Sequence, residues 1–257
     1  MTPALFLHGF TGSGASWSHL ALALSDCLDP KCPSLPGHAG AALPAHLGRA
    51  GFDETIESLA AQLSAPSVVI GYSQGARLAL ALAIRHPQKV TRLILESGTA
   101  GLARHHDRAL RQAEDEARAV MLETRGIEAF IGQWERLPLF GTQPPSPELR
   151  ALRRSHTAAG LAGALRCLGP GVQPSFWPQL PRLHVPTLLI SGAHDSKFTA
   201  LARRMAAELP QAWHVTVPNA AHSVHLDAPA AWVAEVRAFV SPAVSHEHQY
   251  EEQEIRT

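Results

Sequence analysis

The sequence predicts an α/β fold, with a mainly parallel, doubly wound sheet and a helical lid inserted between two of its strands. Short apolar runs alternate with longer segments of helical character in both parts of the chain, which is the pattern of a parallel sheet covered by helices. Between residues 102 and 181 this alternation stops, and the segment has helical stretches without a convincing strand. The chain is therefore predicted to divide into a core, residues 1–101 and 182–240, and a lid, residues 102–181.

The composition is that of an ordinary globular protein and favours no strongly charged partner. Of the 257 residues, 46% are hydrophobic, and 22 Lys and Arg balance 22 Asp and Glu. This balance gives no indication of nucleic acid or a membrane surface as a partner. The three cysteines lack metal-ligand spacing, and the chain shows neither a signal peptide nor an apolar stretch long enough to span a bilayer. We therefore expect a cytoplasmic protein, a monomer or small homo-oligomer, without a metal or other cofactor.

The first part of the core contains four runs with the length of strands. The predicted elements, in chain order, are the strand 4–7, the helix 15–24, the weak strand 28–34, the helix 52–63, the strand 67–70, the helix 76–85 and the strand 90–96. The weak strand contains Pro30 and Pro33, which cannot donate a ladder hydrogen bond. The helix 52–63 places Phe52, Ile56 and Leu59 on one face, as expected for a helix packed on a sheet.

The lid segment is a series of helical stretches separated by proline and glycine. These stretches are predicted at residues 106–125, 127–134, 147–154 and 161–168. Two further strands follow the lid, each with a helix after it. The elements of this second part of the core are the strand 185–191, the helix 197–209, the strand 213–217, a loop at 219–226 and the closing helix 228–239. The polar, acidic tail, residues 241–257, is expected to be disordered.

The sequence G-Y-S-Q-G at residues 71–75 lies between a predicted strand and a predicted helix. In this position G-x-S-x-G is the pattern of a nucleophile elbow, a tight turn that exposes a serine hydroxyl above a helix N-terminus. Glycine is needed where a side chain would collide with the neighbouring strand and helix. Ser73 is therefore the candidate reactive residue of an enzyme.

A serine hydroxyl needs a base in order to react, and two later residues stand in suitable positions. Asp195 follows a predicted strand, and His222 lies in the loop after the next strand. In a parallel sheet both positions are at the carboxyl edge, where ligands bind. The chain order Ser, Asp, His is that of α/β-hydrolases. His222 would take the proton of Ser73 and Asp195 would hold the imidazole, with His225 as the alternative base.

The backbone N–H groups of Phe10 and Gln74 are the candidate donors of an oxyanion hole. Gln74 follows the serine, and Phe10 lies in a glycine-rich loop directly after the first strand. His8 precedes that loop and is expected to be buried and to shape it by hydrogen bonding. His194 and Asp227 are interpreted as loop residues outside the reacting set.

Seven longer stretches resemble one family of the α/β-hydrolase superfamily. They are H-G-F-T-G-S at residues 8–13, G-Y-S-Q-G-A-R at 71–77, L-E-S-G-T-A-G-L at 95–102, W-E-R-L-P-L-F at 134–140, G-V-Q-P-S-F-W at 171–177, G-A-H-D-S-K-F at 192–198 and A-H-S-V-H-L at 221–226. They are similar to those of the synthases that make 2-succinyl-6-hydroxy-2,4-cyclohexadiene-1-carboxylate in menaquinone biosynthesis (the MenH family). The resemblance extends over nearly the whole chain apart from the acidic tail, and the stretches in the lid carry its specificity.

The resemblance implies a lyase on the α/β-hydrolase fold. Ser73, primed by His222, would abstract a proton while pyruvate leaves a polycarboxylated cyclohexene intermediate. A small anionic carboxylate substrate of this kind implies a pocket with arginines. Carried over by position, the substrate-binding residues are Tyr72, Arg77, Arg111, Trp134 and Arg153, with Arg154 as the alternative to Arg153.

Two other functions remain open on the same fold. A serine carboxylesterase or carbon–carbon bond hydrolase would use the same triad, with Ser73 as a nucleophile that attacks carbon. A non-catalytic protein would bind its ligand without turnover. The lid arginines argue against lipophilic esters, and an intact triad argues against a purely binding role.

Overall fold

The computed structural model describes residues 1–140 and 144–241, so the predicted tail lies outside the described residues from position 242 onward. A six-stranded sheet, parallel throughout, forms the centre of the molecule. Its strands, in chain order, are β1 (Thr2–Leu7), β2 (Leu28–Lys31), β3 (Ser67–Tyr72), β4 (Val90–Glu96), β5 (Thr187–Gly192) and β6 (Ala212–Val217). In space their order is β2-β1-β3-β4-β5-β6. The predicted fold class is therefore confirmed.

Helices cover both faces of this sheet. The α-helices are α1 (Ser18–Ala23), α2 (Gly48–Ala61), α3 (Gln74–Arg85), α4 (His105–Trp134), α5 (Pro147–Arg154), α6 (Ala158–Leu168), α7 (Ser196–Glu208), α8 (Val224–Asp227) and α9 (Pro229–Val240). Helices α2, α3 and α7 pack on one face, and α1 and α9 pack on the other. Among the residues that the structure describes, no helix is long and apolar enough to cross a membrane.

Each central strand supplies buried side chains to both faces, because side chains alternate along a strand. In β1, Leu5 and Leu7 join the apolar cluster on the α3 side, whereas Ala4 and Phe6 join the cluster on the α9 side. Strands buried on both faces are expected to be continuously apolar, not alternating. This is why short apolar runs were a usable signal for the strands of this chain.

The segment between β4 and β5, residues 102–181, is called the insert below. Its helices α4 and α6 pack on each other through an apolar cluster of their own. Helix α4 is interrupted at Gly126, whose φ is 76°, so the two helices predicted at 106–125 and 127–134 are the two arms of one bent element. The described residues of the insert contain no strand. Its role as a lid stays a prediction.

Several boundaries differ from those predicted by pattern alone, among them the end of β2 and the starts of α1, α2 and α6. A 3-10 turn, Gly14–Trp17, precedes α1, which begins later than predicted. Helix α2 begins at Gly48, four residues earlier than predicted. Its first turn contains Gly48 and Gly51, and because glycine is a poor helix former, the sequence pattern there does not indicate a helix. Gly51 is required there, since a Cβ atom would lie 2.2 Å from the carbonyl oxygen of His46. The predicted loop 219–226 contains the start of the one-turn helix α8.

Candidate active site

Ser73 lies in the turn between β3 and α3, and its φ of 51° is in the left-handed region. A Cβ atom on Gly71 would lie 2.4 Å from the carbonyl oxygen of Gly75, and one on Gly75 would lie 2.0 Å from that of Leu7. The N–H of Ser73 donates to the carbonyl of Glu96 at 2.9 Å. The neighbouring strands therefore hold the turn in a strained shape that only glycine-flanked sequences can adopt.

The side chains of Ser73, His222 and Asp195 form one hydrogen-bonded row. His222 Nε2 is 3.0 Å from Ser73 Oγ, and His222 Nδ1 is 2.7 Å from Asp195 Oδ2. The other oxygen of Asp195 caps α7 by accepting the N–H of Phe198 at 3.1 Å. Because an ionised carboxylate only accepts, Nδ1 carries the hydrogen and Nε2 is free to accept the serine proton. The geometry suits proton transfer from Ser73 to His222, and the catalytic role of the three residues stays a prediction.

His225, the alternative base, lies in the interior of the protein. Its Nδ1 is 2.8 Å from Glu96 Oε1, and its ring packs against that of Tyr72 with 4.6 Å between ring centres. The histidine in hydrogen-bond contact with Ser73 is His222. The structure therefore places His225 in a second imidazole–carboxylate pair, outside the reacting row.

The two candidate oxyanion donors lie on either side of the serine turn. Gln74 is the first residue of α3, so its N–H has no carbonyl one turn earlier in the helix to accept it. Phe10 is in the loop after β1, where the next residue, Thr11, has a φ of 68°. Both Phe10 and Gln74 line the cavity that contains Ser73. Their use as oxyanion donors stays a prediction.

Three buried histidines hold the loop that carries Phe10. His8 Nε2 accepts the N–H of Leu35 at 2.9 Å, and His38 Nε2 accepts that of Thr11 at 3.3 Å. His156, from the insert, donates from Nε2 to the carbonyl of Thr11 at 3.0 Å. Burial lowers the pKa of all three imidazoles, that of His8 to about 4, so each is neutral and can both donate and accept. The expectation that His8 is buried and shapes this loop is confirmed.

Ser73 and His222 line a cavity of about 570 Å³ between the carboxyl edge of the sheet and the insert. Its described lining carries five cationic side chains and a single carboxylate, that of Asp107. The cations are Arg77, Arg104, Arg111, Lys197 and Arg204. This excess of positive charge in a concave site favours an anionic ligand.

Arg77, one helical turn after the serine, is the most deeply placed of these cations. Its guanidinium donates to the carbonyl of Leu168 at 2.8 Å and to the side-chain oxygen of Gln173 at 3.4 Å. Burial, with a smaller contribution from Arg111, lowers the pKa of Arg77 to about 9. It therefore stays charged at neutral pH. Its two hydrogen-bond partners are neutral, so the charge remains available to a ligand.

Arg111, Tyr72 and Trp134 also lie in the wall of this cavity. The Nε of Arg111 is 2.8 Å from Asp115, a buried carboxylate on the same helix, so its charge is partly neutralised. The Tyr72 hydroxyl is 2.6 Å from the hydroxyl of Ser223, and the ring of Trp134 makes a T-shaped contact with that of Phe10. Arg111 is therefore held by its own helix, whereas Tyr72 and Trp134 mainly shape the cavity.

Arg153 does not share the cavity of Ser73. It lines a second cavity of about 240 Å³, where it is 3.3 Å from Glu135 and lies over the ring of Phe140. Phe10, Tyr72 and Phe140 line both cavities, so the two are adjacent. An ion pair and an aromatic ring hold the guanidinium of Arg153 at this neighbouring cavity, and its role in substrate binding stays a prediction. Its register alternative, Arg154, is paired with a glutamate of α4 at 3.0 Å.

Sequence reasoning missed three cations of the cavity, Arg104, Lys197 and Arg204. Arg104 directly precedes α4, and the other two come from α7, the helix that Asp195 caps. Arg204 stacks over the ring of Trp177 with 3.9 Å from its guanidinium carbon to the ring centre. The sequence did contain a signal for Lys197, which lies two residues after Asp195. The first turn of that helix must lie at the carboxyl edge of the sheet, so a side chain there can reach the site.

Comparisons with known proteins find relatives along nearly the whole described chain. The profile of the alpha/beta hydrolase family matches residues 4–236. The 2-succinyl-6-hydroxy-2,4-cyclohexadiene-1-carboxylate synthase of Escherichia coli O1:K1 / APEC is 32% identical over 238 residues, which are 90% of this chain and 91% of that one. A Bacillus subtilis (strain 168) protein that carries the same name provisionally is 38% identical over 232 residues, 87% of this chain and 84% of that one. The solved structure of MenH from S. aureus superposes with a TM-score of 0.88 at 30% identity and covers 93% of both chains.

Proposed function

The chain belongs to the alpha/beta hydrolase family and, within it, to the 2-succinyl-6-hydroxy-2,4-cyclohexadiene-1-carboxylate synthase (MenH) family, and on this basis we propose that it is such a synthase. The reaction is the elimination of pyruvate from a polycarboxylated cyclohexene, a step of menaquinone biosynthesis. The observation that carries the proposal is the primed serine at the wall of a cation-rich cavity, in a chain 38% identical to a relative along nearly its whole length.

The proposed reaction begins with a proton transfer inside the hydrogen-bonded row. Ser73 gives its proton to His222 Nε2, and Asp195, 2.7 Å from Nδ1, stabilises the imidazolium that forms. The serine oxygen then takes a proton from a ring carbon of the substrate. The electron pair of that C–H bond forms a new ring double bond, a ring C–O bond breaks, and pyruvate leaves as its enolate. The proton held on the imidazole returns to the departing enolate, which restores neutral Ser73 and neutral His222.

The oxyanion donors act while the C–H bond is breaking. Negative charge then spreads from the ring carbon toward the ketone oxygen of the adjacent succinyl group, and the N–H groups of Phe10 and Gln74 would bind that oxygen. One such donor is typically worth about 10²–10³ in rate. No acyl-enzyme is needed in this scheme, because Ser73 takes a proton and does not attack carbon.

The cations of the cavity give the proposal its substrate class. Arg77 is charged and lies one helical turn after the serine, while Lys197 and Arg204 line the same cavity from α7. A small molecule with several carboxylates would match this arrangement, since each carboxylate gains charge-assisted hydrogen bonds. A lipophilic ester would leave the same cations without a partner.

The experiment is to incubate the purified protein with the upstream pathway intermediate and to follow pyruvate. We expect release by the wild-type protein and a loss of at least about 10³-fold in kcat for Ser73→Ala and His222→Ala, by analogy with other residues that act as one catalytic unit. A folded protein that releases no pyruvate but turns over p-nitrophenyl esters through an acyl-serine would contradict the proposal and support a serine hydrolase.

A further inference from the structure

Glu96, at the carboxyl end of β4, contacts both the serine turn and the loop that carries His222. Its main-chain carbonyl accepts the N–H of Ser73 at 2.9 Å. Its side-chain oxygen Oε1 accepts two hydrogen bonds from His225, one from the backbone N–H at 3.1 Å and one from Nδ1 at 2.8 Å. One residue therefore joins the two chain segments whose separation sets the distance from Ser73 to His222.

The Glu96–His225 pair is buried, with His225 reaching the wall of the second cavity. The carboxylate has no exposed surface, and the imidazole is packed between the rings of Trp17 and Tyr72 at centre distances of 4.8 and 4.6 Å. An apolar pair of similar size would fill such a space without the penalty of burying ionisable groups. The polar pair adds a geometric constraint that apolar contacts lack, because two hydrogen bonds to one oxygen fix both the position and the orientation of the histidine loop.

Other contacts of the same loop converge on residues beside Ser73 and Glu96. The hydroxyl of Ser97 donates to the carbonyl of His222 at 2.8 Å. The Tyr72 hydroxyl is 2.6 Å from that of Ser223. The histidine loop is therefore anchored to the ends of β3 and β4 at three points, and the anchor through Glu96 is the one that also holds the serine turn.

We propose that Glu96 is a positioning residue, which sets the Ser73–His222 hydrogen bond by holding the serine turn with its carbonyl and the histidine loop with its carboxylate. It acts through His225 and does not line the cavity that contains Ser73. The proposal deepens the proposed function and rests on it only in requiring that Ser73 is primed by His222.

Two pairs of variants separate the hydrogen bonds from the volume of the side chains. Glu96→Leu removes the acceptor at nearly constant size, whereas Glu96→Gln keeps an oxygen that can accept both bonds. On the other side, His225→Leu removes the ring donor, whereas His225→Asn places an amide N–H close to the position of Nδ1. Thr55→Val is the matched control, because it removes a buried hydrogen bond, 2.8 Å to the carbonyl of Gly51, far from the site.

The readout is the second-order rate at which a fluorophosphonate labels Ser73, together with kcat and KM for pyruvate release. We expect Glu96→Leu to slow labelling and lower kcat by about 10-fold to 100-fold with KM nearly unchanged, since small displacements of reacting groups have effects of this size. Glu96→Gln and His225→Asn should stay within about threefold of wild type, and Thr55→Val should lose thermal stability without a change in labelling.

Labelling of folded Glu96→Leu at the wild-type rate, or a raised KM with unchanged kcat, would overturn the proposal. If Glu96→Leu does not fold, the comparison of His225→Leu with His225→Asn decides, and equal rates for these two contradict it. A wild-type serine that the fluorophosphonate does not label also contradicts it, since a primed Ser73 is its premise. Failure of pyruvate release with the expected labelling pattern would instead reject the proposed function and leave the role of Glu96 supported.

Discussion

Individual side chains around Ser73 are held by partners that come from distant parts of the sequence. His38 and His156 both bind the backbone of Thr11, one from the loop after β2 and the other from the insert. Arg77 is held by the last residue of α6 and by Gln173, which follows that helix. These contacts fix the loop that carries Phe10 and the cation beside the serine before any ligand arrives. Such preorganisation is what makes hydrogen-bond donors and charges effective in a transition state.

Replacing Arg77 tests the charge nearest the serine. We expect Arg77→Gln to lower kcat/KM for pyruvate release by about 10-fold to 100-fold, because a hydrogen bond to a charged group contributes about 1.5–3 kcal/mol. Steady-state kinetics with the upstream intermediate measures this effect. Arg237→Gln is the matched control, since Arg237 pairs with Asp26 at the surface and should leave activity unchanged. Equal kcat/KM values for the two variants would show that Arg77 does not meet the substrate.

His8 predicts a defined pH dependence of stability. Burial lowers its pKa to about 4 from an ordinary value of 6.5. Between these values the unfolded chain binds a proton that the folded protein does not, so the free energy of unfolding falls as the pH drops from 6.5 to 4. The lowered pKa of His8 contributes about 3 kcal/mol to the free energy of unfolding. This stabilisation is fully present above pH 6.5 and is lost as the pH falls to 4.

Chemical denaturation of wild type and His8→Asn at pH 7 and pH 4 isolates this contribution. Groups common to both proteins cancel in the comparison. We expect the wild type to lose about 3 kcal/mol more than the variant over this interval. Equal losses would mean that His8 is not kept neutral by the fold.

At the scale of elements, the strands position the candidate catalytic residues, and the insert supplies part of the positive charge of the cavity. Ser73, Asp195 and His222 each follow a strand, so the parallel sheet brings their backbones to one edge. Helix α4 supplies Arg111 and Trp134 to the cavity. The shape of this helix therefore matters for the site, and its bend at Gly126 is what allows both arms to pack on α6.

The two glycines of α4 provide a matched test of this bend. A Cβ atom would meet nothing within 4 Å at either Gly126 or Gly132, but Gly126 has a φ of 76°. We expect Gly126→Ala to lower the free energy of unfolding by about 1 kcal/mol, since it strains a left-handed conformation. Gly132→Ala should raise it by roughly 0.5–1 kcal/mol, because alanine favours a regular helix. Equal effects in chemical denaturation would contradict the bend.

The architecture of the whole molecule follows largely from local sequence patterns, and its site does so only in part. The apolar runs and the glycine-flanked serine predicted the sheet and the turn, and the seven family-like stretches predicted the MenH family, now confirmed. These features are local. The pairing of Arg153 with Glu135, and of His225 with Glu96, depends on which distant segments meet in space. No spacing along the chain encodes those contacts, so the partners of Arg153 and His225 were not predictable.

The central claim is that Ser73 takes a proton in an elimination and does not attack carbon. The most direct measurement is mass spectrometry of the products formed from the upstream intermediate by the purified protein. We predict pyruvate together with a ring product whose mass equals that of the substrate minus pyruvate, in equal amounts, and with no acyl-serine on the protein. A ring product heavier by one water molecule, or a substrate fragment bound to Ser73, would contradict the account.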